Sequence, residues 1–312
     1  MAITVVGSVA YDSIETPAGR RERCLGGAAT YFSLAASFFT DVRVIAVVGE
    51  DFGPEQEAVF RARNIDISGI ERAAGKSFFW EGSYLDSLNE AKTHQTDLNV
   101  FAAFDPKIPE AYRDSEFLFL ANIDPVLQRR VREQMPDVKL VAGDTMNYWI
   151  KDHRSALLEM LKGLDILLIN ETETKMLAGN NNLVQAARAV LTLGPGTLVV
   201  KHGEYGATAF FSSRSFAPKG EGAEPHPFRA PALPLEEVVD PTGAGDSFAG
   251  GFFGYLASQP QLTPAALRRA MFYGSVLGSF AVERFGTERL QQLSRKEIDD
   301  RFILFRELTL LD

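Results

Sequence analysis

The chain is 312 residues long, 46% apolar and 23% charged, with a formal net charge of -9. That composition supplies one large core and excludes disorder as the default state, and the acidic balance removes the broad basic footprint of a nucleic-acid binder. The single cysteine, Cys24, excludes an intrachain disulfide, and the four histidines, His94, His153, His202 and His226, are scattered without metal-ligand spacing.

The first residues lack a basic stretch and run directly into a β-branched strand at 3–7, so no secretion signal is expected. A helix of small and apolar residues is predicted over 28–39, a buried strand over 42–48, a helix over 56–63, and a turn leading to 65–70. This βαβα order implies a mostly parallel sheet with helices on both faces. Residues 78–85 and 93–104 carry few helix signals and are expected to form a separate small sheet or lid. Short apolar strands then recur at 117–120, 140–142, 166–169 and 198–201, separated by helical stretches at 125–135, 154–161 and 183–193. Proline-rich residues 216–234 read as a loop or an extended hairpin. Helices are expected again to residue 258, over 264–282 and over 295–308. No apolar run approaches the roughly 20 residues that span a bilayer, and a cytoplasmic protein is expected.

The stretch DPTGAGDSFAGGF at 240–252 carries the chemistry. Gly243-Ala244-Gly245 is the last turn before a helix predicted over 246–256. Free N–H groups and the positive end of the helix dipole meet there, and glycine lets a ligand approach the backbone. Asp246 follows at once. An aspartate in a first helical turn is most often a cap, which needs no Gly-Ala-Gly, and an anion hole needs no aspartate. The two together point to a base beside an anion hole, taking a proton from an attacking hydroxyl while amides neutralise phosphoryl charge. The loop has no lysine after Gly245 and is not a Walker A motif. It lies too far along the chain for a dinucleotide fingerprint. No arrangement of Ser, His and Asp suggests a hydrolase.

This stretch resembles the C-terminal signature of the ribokinase-like carbohydrate kinases of the phosphofructokinase B type, and the resemblance covers nearly the whole chain. GSVAYD at 7–12 is similar to the family strand that ends in a substrate-binding aspartate, Asp12. LGGAATYFSLAA at 25–36 is similar to the glycine pair, Gly26 and Gly27, that opens a helix against the substrate. NETE at 170–173 resembles an NxxE motif, which implies that Asn170 and Glu173 organise Mg²⁺ and phosphates through water. VKHGEYG at 200–206 resembles the nucleotide-contacting turn and implies roles for Lys201, Gly203 and Gly206. The helix around 274–283 resembles the adenine-site wall, with Ser279 on it. Asp240, Thr242 and Gly286 match positions that hold potassium in members that use it, with Thr242 also near the nucleotide.

The resemblance implies a three-layer α/β fold with a small β-sheet lid, one domain over 1–312 with the lid drawn from about 10–24 and 75–104, and pairing of two chains through that lid. It implies transfer of the γ-phosphoryl group of ATP to an alcohol of a sugar-like molecule, with Asp246 as general base and the Gly243, Ala244 and Gly245 amides as anion hole. No nucleic-acid or membrane partner is expected. The chain departs from the sugar-kinase pattern at Ala10, Ala28 and Tyr31, where polar contacts to a sugar ring are usual. Buried hydroxyls need partners, so simple ribose fits poorly. Tyr31, with Phe78, Phe79 and Trp80, is placed to stack on a flat ring, or else these aromatics are lid core. A nucleoside acceptor is the alternative reading, and a nucleotide-binding sensor without turnover is a further one.

Overall fold

The computed structural model describes residues 1–85, 87–213, 215 and 226–310. Its strands are, in chain order, β1 (Ala2–Val6), β2 (Ala10–Thr16), β3 (Gly19–Gly26), β4 (Asp41–Val48), β5 (Ile70–Arg72), β6 (Phe78–Ser83), β7 (Lys92–Asp97), β8 (Phe117–Leu120), β9 (Leu140–Gly143), β10 (Ile166–Asn170), β11 (Thr197–Lys201), β12 (Ala207–Phe211) and β13 (Phe228–Ala230). They form a nine-stranded sheet in the order β13-β12-β11-β10-β9-β8-β1-β4-β5 and a four-stranded sheet in the order β3-β2-β6-β7. In the large sheet β11–β12 and β12–β13 pair antiparallel at one edge, and the other pairings are parallel.

Helices cover both faces of the large sheet because its strands are apolar on both sides. Ile3, Val5, Val44, Ala46, Phe117, Phe119, Ile166, Leu168 and Val199 belong to one core, with Phe32, Phe252, Phe253 and Leu277 from the helices Ala28–Ala36, Ala244–Ala257 and Pro264–Ala281. The alternate residues Val6, Ile45, Val47, Leu118, Leu120, Leu167, Ile169, Leu198 and Val200 belong to the other core, against Val131, Leu157 and Val190. The period of two puts successive side chains into different cores.

The small sheet matches the separate small sheet expected from the sequence. Its outer strands were invisible to hydrophobic patterning: β7, KTHQTD, is almost wholly exposed, and β3, GRRERCLG, is exposed over its first five residues. Residues 98–104, expected as part of the same sheet, instead make a short helical turn at Asn99–Ala103 that packs Phe101 between Phe78 and Phe104, with ring centroids 5.5 and 5.4 Å apart. Of the proline-rich segment, Phe228–Ala230 pairs with Ala207–Phe211 as a hairpin. Pro218 and Pro225 lie outside the described residues.

The helix Ala244–Ala257 is wedged between two others by its glycines. A Cβ on Gly250 would collide with the Phe32 carbonyl oxygen, and one on Gly254 would lie 2.9 Å from Ala36 Cα. One on Gly251 would lie 2.6 Å from the Tyr273 carbonyl oxygen on the other side. The glycines therefore serve two contacts, where the sequence suggests one face. Alanine is the better helix former by about 1 kcal/mol, but the collision with backbone costs about 1–3 kcal/mol. Gly250→Ala is therefore expected to lower stability by up to about 2 kcal/mol net. A urea titration checks this, with the midpoint falling at unchanged slope.

Candidate active site

The segment 240–246 turns sharply before its helix. Gly243 takes φ 71°, ψ 2°, a conformation that favours glycine, and the Ala244 N–H closes the turn on the Pro241 carbonyl at 3.2 Å. Among the described residues the N–H groups of Gly243, Gly245 and Asp246 have no protein acceptor. This corrects one expected donor: Ala244 is committed to the turn, and the open amides are those of Gly243, Gly245 and Asp246. A Cβ on Gly243 would collide with the ring of Tyr31, which lies beneath the turn.

Lys201 ends β11 and reaches this turn. Its Nζ is 2.9 Å from where a Cβ on Gly245 would stand. Asp246 is half-buried, and burial raises its carboxyl to about 6 against the pull of the Lys201 ammonium, while Glu173 raises it further. Glu173 is raised by burial and lowered by Lys201 and by Asn170. The reason it sits there is local. Asn170 caps the helix Glu171–Ala178 through its side chain, and Glu173 returns the bond to the Asn170 N–H, each at 2.8 Å. Asp144, just past β9, is buried and held well above the usual carboxylate range, first by burial and then by Asp246, with Lys201 opposing. Its Oδ1 has no partner among the described residues. Buried Gln128 fixes that loop by donating to the carbonyls of Leu120, Ala121 and Asp144 at 3.1, 2.9 and 3.1 Å.

A second carboxylate, Asp12 on β2, faces the same region. Burial raises it to about 7 against a bond from the Gly27 N–H, and Asp240 and Asp246 raise it further. Gly26 must lack a side chain because a Cβ there would overlap Asp12 Oδ2. Gly27 has φ 92°, and the helix it opens is capped by Ser8, whose Oγ accepts from the Ala28 N–H at 3.0 Å. Register puts Ala10, Asp12, Phe78 and Trp80 on one face of the lid, because Ala10 pairs with Phe78 and Asp12 with Trp80. Trp80 is half-buried, lies over Gly82 and donates to Thr93 Oγ1 at 3.2 Å. Tyr84, two positions past Gly82 on the same face, has its phenol beside Thr242 and is raised chiefly by burial, with Asp240, Asp12 and Asp246 adding to it.

Asp240 is wholly buried, and its two oxygens accept from the N–H groups of Thr242 and Gly286, each at 2.8 Å. That joins the turn to the 285–287 loop, where Gly286 takes φ 56°. Burial raises Asp240, and among the described residues no Lys or Arg compensates its charge.

The family model for pfkB carbohydrate kinases matches residues 2–292. The chain belongs to that family. It is thus an ATP-dependent kinase with an alcohol group as acceptor. Among curated relatives it is 30% identical to a cytidine kinase of Thermococcus kodakarensis over 83% of this chain and 90% of the relative. It is 26% identical to a nucleoside kinase of Methanothermobacter thermautotrophicus over 92% and 91% of the two chains. The solved nucleoside kinase of Burkholderia thailandensis in complex with inosine has the same fold, with a TM-score of 0.75 at 18% identity over 97% of this chain and 98% of that one.

Two residues expected in the pfkB kinase site, Tyr31 and Ser279, offer it no open group, and Gly206 is glycine for a packing reason. Tyr31 is 1% exposed with its hydroxyl unpartnered and its ring under Gly243, so it is a floor for the turn and offers no open face for stacking. Ser279 donates to the Val276 carbonyl and accepts from Arg301 at 3.1 Å, which turns it toward the helix Arg295–Thr309. Gly274 and Gly278 of its helix approach Phe248 and Ala244 instead. Gly206 has φ 93°, and a Cβ there would strike the Ala230 carbonyl, so it permits the β12–β13 crossing. Of the aromatics, Phe78 is stacked into the lid core, and Phe79 points to the opposite face from Trp80. Asp124 caps its own helix through the Val126 N–H, and Asn122 accepts from Trp149 Nε1. Asp144, by contrast, belongs to the charge cluster. Its signal was an aspartate directly after a central strand, at the sheet edge where such folds bind ligands.

The kcat/KM of the wild type is expected to rise with an acid limb near pH 6 as Asp246 ionises. Removing a neighbouring cation raises a carboxylate's pKa, so Lys201→Met is expected to move that limb to higher pH as well as to lower the plateau. A pH profile from 5 to 9 measures both.

Proposed function

We propose that this pfkB kinase is a nucleoside kinase, moving the γ-phosphoryl group of ATP to a ribose hydroxyl. The observation that carries the transfer chemistry is the convergence of Asp246, Lys201 and Asp144 at a helix turn whose Gly243, Gly245 and Asp246 amides have no protein acceptor. In this reading the acceptor hydroxyl lies against Asp246. With its carboxyl near 6, that group is mostly ionised at neutral pH and takes the hydroxyl proton. The open amides and the Lys201 ammonium face the charge on the phosphoryl oxygens. Positioning and electrostatics do most of the work in such transfers.

Asp12 is the acceptor-side carboxylate, with Gly26 and Gly27 letting the sugar approach. Trp80, on the same lid face, is the aromatic left available for a base, and the absence of polar side chains at Ala10 and Ala28 disfavours a plain sugar. Among the described residues no group of three or more His, Cys, Asp or Glu side chains forms a ready metal cage. Mg²⁺ would therefore be carried on phosphate oxygens and water beside Glu173 and Asp144, whose orphaned Oδ1 suits that environment. It would supply charge neutralisation. Buried Asp240, lacking a cationic neighbour, suits a monovalent cation such as potassium near Thr242 and Gly286.

Asp246→Asn is expected to fold, bind ATP and lose about 10²–10⁴ in turnover. The raised carboxyl also sets a stability sign. The folded state holds the proton more tightly than the unfolded one between pH 4 and 6, so this group destabilises the fold as pH rises through that window. The variant should melt above the wild type at pH 8, and the gap should shrink toward pH 4; melting curves and an ADP-release assay test the pair. In the same assay, nucleosides are expected to be phosphorylated and plain sugars poorly or not at all. Trp80→Ala should raise the nucleoside KM by about 10–100-fold, the loss of one base–aromatic stack. Phosphorylation of sugars alone would overturn the nucleoside reading.

A further inference from the structure

The lid does more than face the acceptor. Its β6–β7 connection leaves the acceptor side at Tyr84 and reaches the other end of the site at Asn89. Tyr84 is fixed by its N–H bond to the Glu15 carbonyl at 2.9 Å and has its phenol beside Thr242. Asn89 lies against Gly203: a Cβ on that glycine would overlap the Asn89 side-chain oxygen. Five residues stretch to at most about 17 Å, enough to run from an acceptor hydroxyl to the phosphates of a nucleotide. The Asn89 N–H bonds to Ser87 Oγ at 3.1 Å, and among the described residues no donor or acceptor engages its carboxamide.

Gly203 lies two residues past Lys201 on the turn Gly203–Tyr205, and Lys201 Nζ reaches Gly245. The turn is held from behind. His202 bonds through Nδ1 to Glu171 at 2.9 Å and through Nε2 to Thr208 Oγ1 at 3.0 Å, and its N–H donates to the Gly206 carbonyl at 2.8 Å. Asn89 thus rests on a braced turn two residues past Lys201. With its oxygen turned to Gly203, its NH₂ is the free end of the group, a neutral donor.

We propose that Asn89 is a nucleotide-positioning residue delivered by the acceptor lid, donating from its carboxamide to the phosphate oxygens of bound nucleoside triphosphate. It rests on the nucleotide reading given above and deepens it, because it makes the acceptor lid part of the nucleotide site. Neither the glycine turn nor the NxxE segment reaches that place from the lid side. The residue was not marked by any motif, and its position follows only from where the hairpin ends.

The test compares the wild type with Asn89→Ala and Asn89→Asp. The residue is exposed on a turn, so both variants should fold. Equilibrium binding of ATP with Mg²⁺ is read by calorimetry, and the KM values for ATP and acceptor are read in the turnover assay. A hydrogen bond to a charged group contributes about 1.5–3 kcal/mol, so Asn89→Ala should weaken ATP binding by about tenfold or more while the acceptor KM changes by less than about twofold. Asn89→Asp keeps the shape and reverses the polarity. It should weaken ATP binding further than alanine, and the gap between the two should widen as salt is lowered. A purely structural asparagine would be spared by the near-isosteric aspartate. Equal ATP affinity in the wild type and Asn89→Asp, or loss of acceptor affinity instead of ATP affinity, overturns the inference. Absence of phosphoryl transfer by the wild type to any acceptor would count against the kinase mechanism, and the binding comparison among the three proteins would still decide the role of Asn89.

Discussion

One ammonium among carboxylates governs this molecule's centre. Lys201 opposes the raised carboxyls of Asp246, Glu173 and Asp144, and Asp12, raised first by burial, is pushed further by Asp240 and Asp246. Burying several like charges is costly unless they are paired or protonated. The fold reduces the cost in three ways: it favours the protonated form of the most buried members, it bonds the N–H groups of Gly27, Thr242 and Gly286 to Asp12 and Asp240, and it brings one lysine from the end of β11. A polyanionic ligand entering such a place must bring positive charge of its own, which is why a metal-bound triphosphate suits the site better than a bare one.

The large sheet explains how those groups converge. Asp144, Asn170 and Lys201 each stand at or just past the end of a parallel strand, β9, β10 and β11, which are neighbours in the sheet. Parallel strands bring their carboxyl ends to one edge, so three residues far apart in sequence become neighbours without any long-range contact being specified at each one. The Ala244–Ala257 helix then presents its open turn to that edge. The lid adds Asp12 and Trp80 from two strands in parallel register.

Much of this was readable beforehand, and the unreadable parts share a cause. The glycine turn and the aspartate after it were legible because they depend on residues within a few positions of one another, whereas Asn170 and Glu173 were marked only through the resemblance and their capping box is read from the structure. The strands of the large sheet were legible because burial on both faces leaves continuous apolar runs. What failed required knowing a partner. The polar strand β3 has no hydrophobic period to betray it, and only the resemblance put its residues in the lid. Tyr31 looked open because its helix is small and apolar throughout, and only the packing of Gly243 against its ring shows it to be covered. Ser279 is turned away by Arg301, a residue of the last helix that no local pattern connects to it. Ala244 resembles its glycine neighbours in position, yet the turn that Gly243 makes takes up its amide.

The glycine wedge around the Ala244–Ala257 helix divides what evolution can alter. Where backbone lies on backbone, no nearby side chain can be enlarged or trimmed to shift the helix by a fraction of an ångström, so the transfer machinery is inherited as a fixed block. The lid faces the same space with side chains on a twisted, partly solvated sheet, and single exchanges there change the pocket's outline without disturbing that block. New acceptors should therefore arise by drift in the lid, leaving one phosphoryl-transfer apparatus to serve a succession of different alcohols.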